Sequence, residues 1–183
     1  MIKFRDLRAD EIDVRIQSVS MKNGVPTGVI LLLYKDARVD MNILDETVGP
    51  ANWQNKFYEC KGNLFCSLGI NINYDKPDAA FPEWVWKDDC GSESNMEKEK
   101  GEASDARKRA GFAWGIGREL YTSPFIFMKA EDCNINNGKC YDKFKVYGIE
   151  VKDGRITRLA IANMTTKKTW TWPEQANKEQ AKK

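Results

Sequence analysis

Apolar and polar residues alternate at Ile12, Val14 and Ile16 after a short turn at Asp10, the period of a half-buried strand. The Lys22-Asn23-Gly24 turn and Pro26 are expected to end that strand, and Val29 opens a compact apolar run through Tyr34. Val39 or Met41, then Ile43 and Val48, recur at helical spacing and predict a short helix stopped by Gly49-Pro50. Three strands follow, over residues 53–60, 64–73 and 83–90. They are separated by the Lys61-Gly62-Asn63 turn and by a loop from Tyr74 to Pro82, which argues for an antiparallel meander. Phe57, Tyr58, Phe65, Trp84 and Trp86 are strand formers that suit a sheet core or a subunit contact better than base stacking.

Residues 94–121 read as a long helix. Ser94 or Asn95 can cap it, Glu97 and Glu99 fall in its first turn, and Ala103, Ala106, Ala110, Ala113, Gly117 and Leu120 form a small-residue stripe that permits close packing on a sheet. The glycines lower its propensity, so the regular helix should break near Gly115. Past Pro124 come Phe125-Ile126-Phe127 and a polar loop. A hairpin over 144–151 and 156–164 then turns at Asp153-Gly154, with residues 167–172 as a third strand. The expected class is α+β: a three-stranded antiparallel meander packed on a long helix, a β-β-β-α core, with a small C-terminal β appendage. The expected division is a core over 1–128, the appendage over 129–172 and a disordered polar tail over 173–183.

Histidine is absent, which removes Ser/His and Cys/His nucleophile pairs and most zinc sites; no metal site or catalytic set is expected. Gly138-Lys139-Cys140 lacks the upstream glycine and following hydroxyl of a phosphate loop, so an ATP-driven motor is not expected, nor any cofactor. Cys60, Cys66, Cys90, Cys133 and Cys140 are odd in number and irregular in spacing. That fits a reducing compartment, and with no membrane segment or signal pattern the expected location is the cytoplasm. Charge is uneven. Residues 1–93 carry 11 basic and 15 acidic side chains, whereas residues 139–183 carry 11 and 5, so the C-terminal quarter suits either a polyanion or simple solubility.

On a helical wheel, Lys100, Arg107, Gly111, Trp114 and Arg118 fall on one flank of the stripe, Arg109 on the other, and Lys108 points away from it. The run Arg107-Lys108-Arg109 therefore spreads positive charge around a rigid element, as phosphate binding requires, or makes a solvated face paired with Glu97, Glu99, Glu102 and Asp105. The stretch Asp89-Cys90-Gly91, then residues 97–110 with Asp105-Ala106-Arg107-Lys108-Arg109-Ala110, Trp114-Gly115 and Leu120-Tyr121, resembles the core motif of the Rad fifty-two/Rad twenty-two family of single-strand annealing proteins, its phage recombinase members most closely. Residues 33–39 and 44–53 resemble that family's first helix and the strand after it.

The resemblance implies an oligomeric ring or filament that holds single-stranded DNA in a positive groove. It carries the groove residues over to Arg38, Lys108 and Arg109, with Phe112 standing where the family has another base and Arg107 or Arg118 compensating; Lys100 matches less securely. Expected partners are single-stranded DNA, its complementary strand and further copies of the chain. An exonuclease and a single-strand-binding protein are further candidates, and the phage likeness would place the chain in a bacterial host's cytoplasm. Annealing needs phosphates held with the bases unstacked and presented, and no bond is made or broken. Two alternatives are a passive coating protein and a magnesium-dependent nuclease using Asp88, Asp89, Glu93, Glu97 or Glu99.

Overall fold

The computed structural model describes residues 2–76, 78–91 and 98–173. In chain order the elements are β1 (Asp13–Lys22), β2 (Val25–Tyr34), α1 (Ala37–Val48), β3 (Trp53–Cys60), β4 (Asn63–Asn71), β5 (Trp84–Cys90), α2 (Lys98–Trp114), β6 (Ile126–Lys129), β7 (Ile135–Asn136), β8 (Lys139–Cys140), β9 (Phe144–Lys152), β10 (Arg155–Asn163) and β11 (Thr169–Trp172). They belong to two compact units, each discontinuous in sequence: Met1–Asp6 with Lys35–Arg118, and Leu7–Tyr34 with Glu119–Lys183.

In the first unit β3, β4 and β5 form an antiparallel sheet in that order, with Trp53 opposite Ile70 and Gly69 opposite Trp86. Alternation sorts its two faces. Cys66, Leu68 and Ile70 are buried on one, and α2 lies against β4 and β5 with Ala106 and Ala110 wholly buried, since methyl groups let the helix axis approach closely. The opposite face carries the stacked pairs Tyr58–Phe65 and Trp84–Trp86, with the Lys56 ammonium 4.4 Å from the Trp86 ring centroid. Helix α1 buries Val39, Ile43, Leu44 and Val48 and ends at Gly49, whose φ of +82° and amide bond to the Asp45 carbonyl close the last turn. Helix α2 stops after Trp114, where Gly115 takes a φ of +104°.

The second unit is built on a six-stranded antiparallel sheet, order β11-β10-β9-β1-β2-β6. The Asn23-Gly24 turn, with φ of +53° and +79°, matches the twist of its flanking strands and joins β1 to β2. Pro26 does not end the strand as the sequence suggested. It sits inside β2 opposite Met21, where the register shifts, and a bulge tolerates the missing donor. Val29, Leu31, Ile126, Met128, Val146, Ile156, Leu159 and Ile161 are buried. The terminal strands β6 and β11 line a cleft of about 440 Å³, so the sheet is a nearly closed barrel.

The expected fold class is corrected by this sheet. Among the described residues strands make up 46% and helices 23%, so the fold is mostly β rather than an α+β three-stranded meander on a long helix with a small appendage. The hairpin β9–β10 is not an appendage, because β9 pairs with β1 through Asp13 opposite Lys145, and β6 pairs with β2 through Leu31 opposite Ile126. Those pairings join segments far apart in sequence, which local alternation cannot register. The expected tail beyond Pro173 lies outside the described residues.

Candidate nucleic-acid interface

Asp36 begins α1 as its N-cap, accepting the Arg38 amide at 2.8 Å, and the Arg38 guanidinium donates back to the same carboxylate at 3.0 Å. Arg38 is thereby fixed at the root yet 84% exposed at its side chain, a cation presented from a helix start. These hydrogen bonds from Arg38 hold the Asp36 carboxyl below its ordinary range, and Lys108 of α2 adds to the effect. The helical wheel places Lys108 on the side of α2 away from the small-residue stripe. Its side chain is only 22% exposed, because α1 packs against α2 on that side and sets Lys108 near Asp36 and Asp40, with Asp105 3.9 Å away. Arg38 contacts Asp36 directly, and the charge of Lys108 acts on the same carboxylate.

Beneath them lies a buried ion pair that the hydrophobic pattern conceals. Lys35 and Asp40 are each 1% exposed, and the Lys35 ammonium bonds Asp40 Oδ1. Burial pushes the Asp40 carboxyl up to about 6, against the pull of Lys35, Lys108 and Arg107. Asp40 Oδ2 has no hydrogen-bond partner among the described residues and faces Gly111, where an added Cβ would stand 2.8 Å from it. Gly111 is therefore needed for that carboxylate to fit against the helix. The Lys35 ammonium also lies 4.3 Å from the centroid of the Phe112 ring.

Arg107 turns inward. Its Nη1 lies 3.4 Å from Met41 Sδ, its guanidinium carbon 5.6 Å from the Phe57 centroid, and its buried Nε has no partner among the described residues. Arg109 occupies another side of α2 and pairs with Asp89 of β5 at 3.1 Å. Arg118 folds back on the helix end and donates to the Phe112 and Ala113 carbonyls at 2.7 and 2.9 Å, satisfying acceptors that α2 leaves open. Lys100 belongs to the first turn of α2, and its side chain lies outside the described residues. Of the five candidates whose side chains are described, Arg38 and Lys108 both act on Asp36, and Arg107 is packed between α1 and the sheet.

Asp88 and Asp89 project to opposite faces of the sheet, Asp88 accepting from the Tyr58 hydroxyl at 3.0 Å and Asp89 facing Arg109. Among the described residues no group of three or more acidic, cysteine or histidine side chains could hold a metal ion. Glu93 and Glu97 lie outside the described residues, as does the side chain of Glu99. No family model, curated protein or solved structure matches the chain.

Proposed function

We propose that this protein binds single-stranded DNA and anneals complementary strands without nucleotide hydrolysis, in DNA recombination and repair, as a homo-oligomer in the cytoplasm. The observation that carries the reading is an exposed Arg38 bound to Asp36, with Lys108 of the neighbouring helix acting on the same carboxylate. Two cations on rigid elements can take successive phosphates of a strand, neutralising the repulsion that keeps two strands apart, while the bases stay free to test a complement. The sequence resemblance to the Rad fifty-two/Rad twenty-two family supports the same assignment. Self-association has support in the three-stranded sheet, whose outer strands β3 and β5 have no further strand beside them among the described residues and whose outer face is aromatic. An exonuclease that exposes single strands and a single-strand-binding protein are proposed as working partners.

The test is a titration of labelled oligothymidine and of a duplex of equal length, with magnesium present. We expect preferential binding of the single strand, weakening as salt rises, with both substrates intact afterwards. Equal affinity for the duplex, or digestion of either substrate, would overturn the proposal.

A further inference from the structure

A second site lies at the C-terminal end of α2, in a cavity of about 530 Å³ whose lining includes Tyr74, Asp75, Lys76, Lys87, Trp114 and Arg118. Its volume lies within the range of roughly 300–1,000 Å³ typical of small-molecule sites. Three of these six side chains are cations and one is an anion, and two are aromatic, so the cavity combines net positive charge with flat apolar surface.

The cations are held rather than loose. Lys87 donates to the Ala113 carbonyl at 3.0 Å and stands 4.5 Å from the Trp114 ring centroid. Trp114 is itself pinned by its indole N–H to the Leu68 carbonyl at 2.9 Å. Arg118 uses Nε and Nη2 on the helix carbonyls, and Nη1 takes part in none of these bonds. Lys76 is exposed and donates to the Asn73 side chain at 2.9 Å. A positive cluster fixed beside a pinned indole suits one ligand chemistry, an anionic group joined to a flat ring.

We propose that this cavity binds a nucleoside phosphate, the phosphate held by Lys76, Lys87 and Arg118 and the base lying against Trp114 and Tyr74. Arg38 and Lys108 take no part in its lining, so the site stands or falls separately from the strand interface. The ligand is either a free nucleotide or a nucleotide of a bound strand, and competition separates these sources.

Calorimetry with thymidine 5′-monophosphate, thymidine and inorganic phosphate tests the site directly. One monophosphate should bind per chain, at least about tenfold more tightly than either fragment, because both halves of the site contribute. Lys76→Glu, at an exposed position outside the core, should weaken the monophosphate about tenfold or more, as should Trp114→Phe, whereas the double variant Arg38→Ala/Lys108→Ala should bind it normally. Displacement by 5′-phosphorylated oligothymidine alone would assign a strand end, displacement by phosphorylated and unphosphorylated strands alike an internal nucleotide, and displacement by neither a free nucleotide. Absence of monophosphate binding, or binding unchanged in both Lys76→Glu and Trp114→Phe, would overturn the inference.

Discussion

Replacing Lys35 by alanine should destabilise the protein by about 3–5 kcal/mol, because the change strands the Asp40 carboxylate in a site where each partner is 1% exposed. Urea unfolding measures the loss. The deficit should depend on pH in a defined direction. Asp40 has its folded pKa raised to about 6 from an ordinary 3.8, so its contribution favours the fold fully below the ordinary value and is lost as pH rises through about 6. Without the ammonium that pulls it down, the carboxyl rises further, and the gap between variant and parent should widen from pH 5 to pH 7. Lys35→Met/Asp40→Asn removes both charges and should recover most of the loss. A Lys35→Ala protein within about 1 kcal/mol of the parent at pH 7 would mean that the buried pair does not stabilise the fold as argued.

The second large effect is on binding. Arg38→Ala with Lys108→Ala should lower the affinity for single-stranded DNA on the order of tenfold or more. It should also flatten the log–log salt dependence by about 1.4, two phosphate contacts at roughly 0.7 each. Stability should change little, since Arg38 is 84% exposed and the ion pair of Lys108 with Asp105 is a long one at 3.9 Å. Arg109→Ala, tested alone, should do less, because it faces Asp89 of β5, on another side of α2 from Lys108. Fluorescence anisotropy across a salt series, with several DNA sequences, reads all three. An equal loss in Arg109→Ala would move the interface to the β5 side of the helix.

These expectations show where sequence reasoning reached and where it stopped. The end of α1 at Gly49, the turns flanking β3 and β4, the break of α2 at Gly115 and the Asp153-Gly154 hairpin were legible, because each rests on turn chemistry or periodicity within a few residues. The β1–β9 and β2–β6 pairings were not legible, because a strand's pattern states that a face is buried without naming the neighbour. Fold class failed for that reason.

Arg38 and Lys108 were singled out by motif, but the low exposure of Lys108 was not legible, because a helical wheel knows nothing of the helix packed beside it. Lys35 and Asp40 were missed as a pair. Charged residues near a helix start ordinarily read as solvated, and the one available signal was their place between two apolar segments. The cavity at the end of α2 draws on residues from Ile2 to Arg118, a grouping that only the fold assembles.

The central claim is annealing, and the rate at which two complementary labelled oligonucleotides pair, followed by energy transfer without any nucleotide, tests it most directly. The protein should raise that rate many-fold at concentrations that cover the strands, and Arg38→Ala/Lys108→Ala should return it to the protein-free value. Strands that are bound by the protein yet pair no faster than in its absence would contradict the account and leave a coating protein in its place.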